Sequence, residues 1–598
     1  MHRRWIGWAS ARTIFGIDLR TLALFRVLLG FYVLLDLVLR ARDLTAHYTD
    51  LGFMPRLVQI TQLRSGSWSL HLANGSPLFQ GLLFAIAALA AIGLILGWRT
   101  RLMTAVSWGL LLSVQNRNTF ILSGEDNLAL LLLFWAMFLP LGARYSLDRA
   151  LSRTPDYPDS AYFSVATLAL LIQGMSMYFF SALLKTHPIW VPDGTAVYYA
   201  LQLDYLVTSF SLWFRQFKEA MTGLTYYVYA LELIGPFLIF SPVFHRTFRT
   251  ACMAAFMTMH LAFFFFLEIG LFPYISIVMN LTFMPPWLWD AIAGRLFRKT
   301  PADITLWYDQ GCTFCEKTCR ILRVFLFLPE AAIRPAQEDP EIGAELAARN
   351  SWVVTIGGKR YFKAGALIAL LSASRIFRPL AVVLGLGPLR RLGDRCYDLV
   401  GRHRGGLSRV TARVLPWRRQ TVRIGWPTQM LAAIFLGFIT VQNVSTLPAG
   451  PFALPDAFIN LRQALGLYQN WTMFAPYPEM DSPWPVIPGK LTDGTQVDVY
   501  NSRTGPAVFR KPAVVSRVYA NYRWRKFLSN LEDRSYEAGP QVLALNYARF
   551  LCRDWTEKHP DLPALSTFRI YFQVERTPPP GGSKTPRPRL VWSHDCFG

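Results

Sequence analysis

Nine apolar stretches, each able or nearly able to cross a bilayer, constrain this chain more than any other feature. A helix rises about 1.5 Å per residue, so roughly 20 apolar residues span a hydrocarbon core of about 30 Å. The candidates are 20–40, 78–97, 102–122, 126–141, 161–184, 225–241, 248–269, 271–289 and 428–446. The fourth is short and reads as tilted or partly re-entrant. Residues 195–212 mix Tyr, Gln and Asp with apolar side chains and read as an interfacial helix. Composition points the same way: 53% of residues are hydrophobic and only 17% charged, a balance that soluble domains rarely show.

The formal charge is +23. No zinc-finger spacing or aromatic-interleaved basic groove accompanies it, so nucleic acid is not the expected partner. Excess Lys and Arg in short loops instead marks the cytoplasmic face of a membrane protein. Arg99/Arg101, Arg144/Arg149/Arg153, Arg246/Arg249 and Arg295/Arg298/Lys299 fall on alternate loops. They share one side if the N-terminus is cytoplasmic; the 41–77 loop, with Arg42, Arg56 and Arg64, dissents. Residues 1–19 hold Arg3, Arg4 and Arg12 and run straight into the first span, which is expected to stay as a signal anchor. Residues 303–424 are then cytoplasmic and 447–598 lie outside. Between 295 and 424 there are 23 Lys/Arg against 10 Asp/Glu, and ten of the bases crowd into 390–423. Positive-inside topology and attraction to anionic headgroups account for that run.

Topology also sorts the seven cysteines. Cys552 and Cys596 fall outside, where disulfides persist, and are expected to form a structural bridge; two buried free thiols are the alternative. Cys312, Cys315, Cys319 and Cys396 are cytoplasmic, and Cys252 lies in a span. Ile304 to Tyr308 reads as a buried strand and Cys315 to Leu328 as a helix. That order sets Cys312 at a helix N-terminus, where the dipole and free N–H groups favour thiolate. Cys312 would attack and Cys315 resolve the mixed disulfide, with Asp309 placed to relay a proton. Trp352–Ile356, Gly357-Gly358 and Lys359–Phe362 make a hairpin, and Ala364–Leu371 a following helix. A zinc half-site using Cys319 competes with the redox reading, but no His or second CxxC completes a tetrahedron, and no metal is expected. The Asp309, Cys312, Cys315 pattern resembles the DCC family of thiol-disulfide oxidoreductases over about 300–400. The resemblance implies a small thioredoxin-like domain. The proline that usually precedes the strand at Trp352 in thioredoxins is missing.

Ionisable residues inside spans are costly and therefore either paired or functional. Arg26 and Asp36 lie in the first span, Arg117 near the end of the third, Glu232 in the sixth and His260 in the seventh. Arg26 and Asp36 stand ten residues apart, so each needs a partner elsewhere. Lys185 follows Tyr178-Phe-Phe-Ser-Ala-Leu-Leu and precedes Thr-His-Pro-Ile-Trp190. It is either a snorkelling interfacial lysine or a partly desolvated amine able to act as a base. That segment resembles the one bearing the base lysine of vitamin K-dependent γ-glutamyl carboxylases. His260 with Gly270-Leu-Phe-Pro-Tyr274 resembles a later helix of the same family. Leu24-Phe-Arg-Val-Leu-Leu-Gly30 with Tyr48 to Pro55 is similar to its bacterial HTTM branch. The likeness covers roughly 15–290 and implies a quinone- or lipid-accessible cavity with Lys185 near its outer mouth. Asn116-Arg117-Asn118-Thr119 stands where the carboxylases carry an asparagine–histidine pair, so glutamate carboxylation itself is not expected.

After the last span, Tyr468 to Pro478 is an aromatic and proline cluster of the kind that packs a domain onto a bilayer surface. It also resembles a motif of HTTM proteins that help mature a secreted peptide. Thr492-Asp-Gly-Thr495 reads as a hairpin turn, with helices at 514–531 and 540–557, strands near 567–575 and 588–593, and a loop at 578–588. The expected architecture is a mainly α polytopic membrane bundle over 1–295, a thioredoxin-like α/β domain over 301–405, a basic juxtamembrane linker over 406–427, a final transmembrane helix over 428–446, and an extracytoplasmic α+β domain over 447–598. The expected setting is a bacterial inner membrane. The expected function is a membrane enzyme joining quinone, lipid-linked or peptide modification chemistry to cytoplasmic thiol redox, with membrane lipids, a thiol-redox partner or a secreted peptide as partners. The alternatives are a non-catalytic maturation or export factor and a proton-coupled transporter through Arg26, Arg117, Glu232 and His260.

Overall fold

The computed structural model describes residues 9–155, 157, 160–297, 303–448, 450, 452–533, 542–582 and 584–598. Arg3, Arg4, Arg298 and Lys299, and the start of the helix expected from 540, lie outside the described residues.

The helical bundle forms where apolar runs meet good caps. Asp18 accepts from the backbone N–H of Arg20 to start helix Leu19–Ala41, and Ser76 with Pro77 starts Pro77–Leu96. Gly97 ends that helix at φ +66°, and a Cβ there would sit 1.9 Å from Arg26 Nη1, so both conformation and space demand glycine. Ser164 and Thr167 form a reciprocal cap at the head of Val165–Leu184.

Five described helices are long and apolar enough to cross a membrane: Leu19–Ala41, Pro77–Leu96, Val165–Leu184, His245–Phe266 and Trp426–Val444. The other expected spans differ from that standard. Thr100–Arg117 stops short of 122 and carries Arg101, Gln115, Asn116 and Arg117. Gly124–Ala136 has 13 residues and ends before Pro140. Lys218–Leu238 begins on Lys218 and Glu219. The 271–289 stretch breaks at Pro285 and Pro286 into helices Phe272–Leu281 and Pro286–Phe297. The expected interfacial helix at 195–212 is two short ones, Ala196–Leu201 and Ser209–Phe214. They are separated where the Asp204 N–H donates to Ser482 Oγ at 3.0 Å.

The thioredoxin-like body has a four-stranded sheet in the order 332–335, 304–308, 353–356, 359–362, the first pair parallel and the others antiparallel. Helices Thr313–Phe325 and Lys363–Ala373 pack on it. The segment expected as a basic linker from 406 is helical to Val414. It docks on the CxxC helix, with Thr313 and Ser408 hydroxyls at 2.8 Å and Lys317 Nζ donating to the Thr411 carbonyl at 3.0 Å. This body meets the bundle at one end. Arg153 N–H donates to the Arg418 carbonyl, Trp98 Nε1 to the Val414 carbonyl, and the Tyr145 and Phe327 rings lie 4.9 Å apart.

The C-terminal sheet has six strands, with long strand Leu565–Arg576 paired to Pro586–Asp595, Asp481–Val486 and Pro488–Leu491. It is not a separate unit. Its buried Trp484, Phe527 and Tyr547 share one apolar core with bundle residues such as Tyr48 and Phe53. The Phe53 and Phe527 ring centres lie 3.9 Å apart, tilted by 31°. The domain caps the end of helix Leu19–Ala41 opposite the thioredoxin-like body. Arg26 donates to the Tyr145 carbonyl near one end of that helix, and Asp36 and Arg40 meet Arg523 near the other.

Candidate functional site

Helix Val165–Leu184 ends on Lys185, whose N–H bonds back to the Ala182 carbonyl. Helical spacing then sets Ser181 and Tyr178, four and seven residues earlier, on the same face. Lys185 Nζ donates to Ser181 Oγ at 2.7 Å, forms an ion pair with Glu232, and lies 4.9 Å from the centre of the Trp190 ring. Its side chain is 2% exposed. A buried ion pair costs desolvation that only close geometry and extra hydrogen bonds recover; the hydroxyl and the indole face supply both here. Lys185 is thus neither snorkelling nor alone, and it pairs with a residue singled out independently.

His260 sits beside this pair. Tyr178 OH lies 2.6 Å from His260 Nε2 and accepts from Asn280 Nδ2 at 2.6 Å. His260 Nδ1 is buried without a protein partner. Tyr178, Lys185, Glu232 and His260 all line one cavity of about 620 Å³, most of whose wall is aliphatic and aromatic. The C-terminal domain supplies part of its wall: Phe474, Tyr522 and Arg525 line it, and the Trp190 indole donates to the Phe474 carbonyl at 3.2 Å. The Tyr468–Pro478 run, expected to sit on the bilayer surface, is therefore part of the cavity wall, and Trp471 within it is buried. A second cavity of about 720 Å³, lined by amides such as Gln62, Asn116 and Asn470, shares Ser123, Gly124, Thr472 and Lys526 with the first.

Arg26 and Arg117 do not join this site. Arg26 Nη2 donates to the Tyr145 carbonyl at 2.6 Å, and Arg117 Nη1 to the Met54 carbonyl at 2.7 Å with Asp50 3.7 Å away. Of the four residues of the transporter reading, Glu232 and His260 line this cavity and Arg26 and Arg117 do not. Tyr178 and Ser181 were legible as turns of the Lys185 face. Asn280 and the residues from the C-terminal domain carried no local signal.

In the thioredoxin-like body, Cys312 caps helix Thr313–Phe325, and its sulfur accepts from the Cys315 N–H at 3.3 Å. The two cysteines are joined as a disulfide with Cα atoms 5.3 Å apart. Asp309 Oδ1 accepts from Gln337 Nε2 at 3.0 Å, and the Asp309 carbonyl accepts from the Cys312 N–H at 2.9 Å. The carboxylate is held in the loop that carries the nucleophile. Cys319 faces the opposite way, into the core, where burial pushes its thiol up to about 12. Among the described residues no group of three His, Cys, Asp or Glu could hold a metal ion. Cys552 and Cys596 are bonded to each other and tie helix Val542–Lys558 to the chain end beyond the last strand.

Fold and sites together define a membrane-embedded helical bundle that carries a thiol–disulfide exchange module. Comparison with known families agrees: residues 16–287 match the HTTM domain, and residues 306–410 match the DCC1-like thiol-disulfide oxidoreductase. The chain thus carries an HTTM domain followed by a DCC1-like thiol-disulfide oxidoreductase domain, and residues beyond 410 fall outside both matches. No curated protein and no solved structure matches it.

Proposed function

We propose that this protein is a membrane enzyme that handles protons on an apolar, lipid-soluble substrate in the Lys185 cavity and exchanges thiols for disulfides at Cys312–Cys315. The observation that carries the reading is the convergence of Lys185, Glu232, His260 and Tyr178 on one mostly apolar cavity. That lining suits a quinone or similar ring compound: Lys185 and His260 would hold its polar edge, and Phe263, Phe266 and Phe272 its apolar part. A bound quinone would supply two-electron redox chemistry. The chain's own part is proton handling. Lys185, bonded to Ser181 and paired with Glu232, and His260, with Nδ1 free and Nε2 on Tyr178, are the groups placed to move protons there. At the second site, reduced Cys312 attacks a partner disulfide and Cys315 displaces the partner thiol. The partner disulfide is reduced as the Cys312–Cys315 bond forms.

The arginine clusters at 99–101 and 144–153 adjoin the contacts to the thioredoxin-like end through Trp98 and Arg153, which supports placing that body in the cytoplasm and the C-terminal domain outside. Peptide presentation by a non-catalytic factor is the second reading, favoured by Tyr522, Arg525 and Lys526 at the cavity wall. Mass analysis of the purified full-length protein tests the first. It is expected to carry a bound quinone or related lipid, lost in Glu232→Gln, with product formation abolished by Lys185→Ala. Unchanged product with Lys185→Ala and Cys312→Ser would sink the enzyme and leave the factor.

A further inference from the structure

The segment after the thioredoxin-like sheet carries features that neither exchange chemistry nor the cavity uses. Helix Gly387–Arg402 packs one face on the domain. The Tyr397 hydroxyl accepts from the Trp352 N–H at 2.9 Å, Asp394 accepts from the Ala364 N–H at 3.1 Å, and Asp398 pairs with Lys363 at 2.8 Å. Its opposite edge repeats apolar side chains at Leu389, Leu392, Cys396 and Leu399, a spacing of three, four and three that forms one stripe. That stripe is bare: Leu392 is 55% and Leu399 58% exposed, and Cys396 is an exposed free thiol. The preceding helix Arg378–Leu384 and its exit add Val382 at 68% and Leu386 at 57% exposure.

Charge follows the stripe. Helical spacing sets Arg395 and Arg402 on the flank of the stripe and Arg391 further round toward the domain face, and all three are exposed. Asp394 and Asp398, the acids of this helix, are turned to the domain. Both ends of the segment are anchored at the membrane end of the bundle. Arg375, just before it, donates to the Arg295 carbonyl in helix Pro286–Phe297. The Val414 carbonyl at its far end accepts from Trp98, directly after spanning helix Pro77–Leu96. The apolar helix Trp426–Val444 begins twelve positions after Val414.

We propose that helices Arg378–Leu384 and Gly387–Arg402 lie in the interface of an anionic leaflet, their apolar stripe in the acyl boundary and the bordering arginines on lipid phosphates. Two anchors hold the segment at the bundle's end, the stripe offers apolar area that none of the described residues covers, and exposed Arg395 and Arg402 flank it. This is how interfacial helices bind, with insertion and electrostatics together. The consequence is that the Cys312–Cys315 disulfide is held close to the membrane plane, so its exchange partner must itself approach that surface.

Cys396 supplies the probe. A nitroxide placed on it in the full-length protein, reconstituted in vesicles of phosphatidylcholine with about a third phosphatidylglycerol, is expected to show an oxygen-to-nickel accessibility ratio several-fold above the same label at Lys359→Cys on the hairpin. Leu392→Glu with Leu399→Glu, both outside the domain core, is expected to return that ratio to the Lys359→Cys value. Equal ratios at Cys396 and Lys359→Cys would overturn the proposal, as would dipolar broadening between labels showing a second copy seated on the stripe. An unchanged ratio in purely zwitterionic vesicles would overturn the arginine half of it.

Discussion

Removing Arg523 should undo the joint between the C-terminal domain and the bundle. This guanidinium belongs to helix Tyr522–Asp533 yet reaches Asp36 at 2.5 Å and Asp126 at 3.3 Å, deep among bundle helices. Arg40 completes the cluster, bonding Asp36 at 2.7 Å and also pairing with Asp126. Two cations and two anions balance, and all four side chains are at most 2% exposed. Arg523→Leu leaves two buried carboxylates on one arginine, a net charge where water cannot reach. Breaking a buried pair in this way costs about 3–5 kcal/mol. Asp36→Asn in the same background restores neutrality and should recover about 1–3 kcal/mol, the coupling expected within one network. Thermal unfolding of detergent-purified parent, single and double variants reads both numbers. A loss under about 1 kcal/mol for Arg523→Leu, or an Asp36→Asn effect that simply adds to it, would refute the charge-balance account.

Three further outcomes follow from the same structure. Burial opposes the charge on Asp204, but Arg215, Lys511 and Lys584 outweigh it and hold the carboxyl at about 2. Its folded value lies below its unfolded one, so the stability it adds is full above about pH 4 and is lost as pH falls toward 2, on the order of 2 kcal/mol; Asp204→Asn should flatten the acid limb of the Tm-against-pH curve. Gly97→Ala meets both the φ of +66° and Arg26 Nη1 at 1.9 Å, and should cost about 2–4 kcal/mol in denaturant unfolding. Cys552→Ser with Cys596→Ser frees a loop whose ends are 44 residues apart, worth about 4 kcal/mol if chain entropy dominates, which the denaturation midpoint of the unreduced parent against the variant will show.

Long apolar runs without an internal proline break were legible to within a few residues. The 20–40, 78–97 and 428–446 stretches became Leu19–Ala41, Pro77–Leu96 and Trp426–Val444 because proline stands only at their starts and their apolar side chains dominate. The strand–CxxC–helix order was equally plain, since a buried five-residue strand and a capped helix are local events. Reading failed where hydropathy averaged over a break. Pro285 and Pro286 split 271–289, and Asn118, already extended at φ −150°, ends the helix expected to reach 122. It failed also on partnership. Lys185 and Glu232 are 47 residues apart and Arg523 and Asp36 are 487 apart; a buried charge announces in sequence that it needs a partner, but only tertiary packing selects which one.

The same packing sets how the two sites relate. Helix Val165–Leu184 starts beside the thioredoxin-like end, where Tyr162 OH accepts from the Ile424 N–H, and finishes at Lys185. Twenty residues at 1.5 Å each set about 30 Å between those ends. The disulfide lies beyond the near end and the amine at the far one, so no single step can share atoms between them. Any link must pass through a diffusing carrier or through movement of the helices that join the two ends. The first helix is poorly suited to such movement, because Arg26 is tied to the Tyr145 carbonyl at one end while Asp36 and Arg40 are locked to Arg523 at the other. A neutral cluster buried from water has no cheap second arrangement, since shifting either arginine strands a carboxylate. Charge balance therefore weighs against a mechanical relay through the first helix.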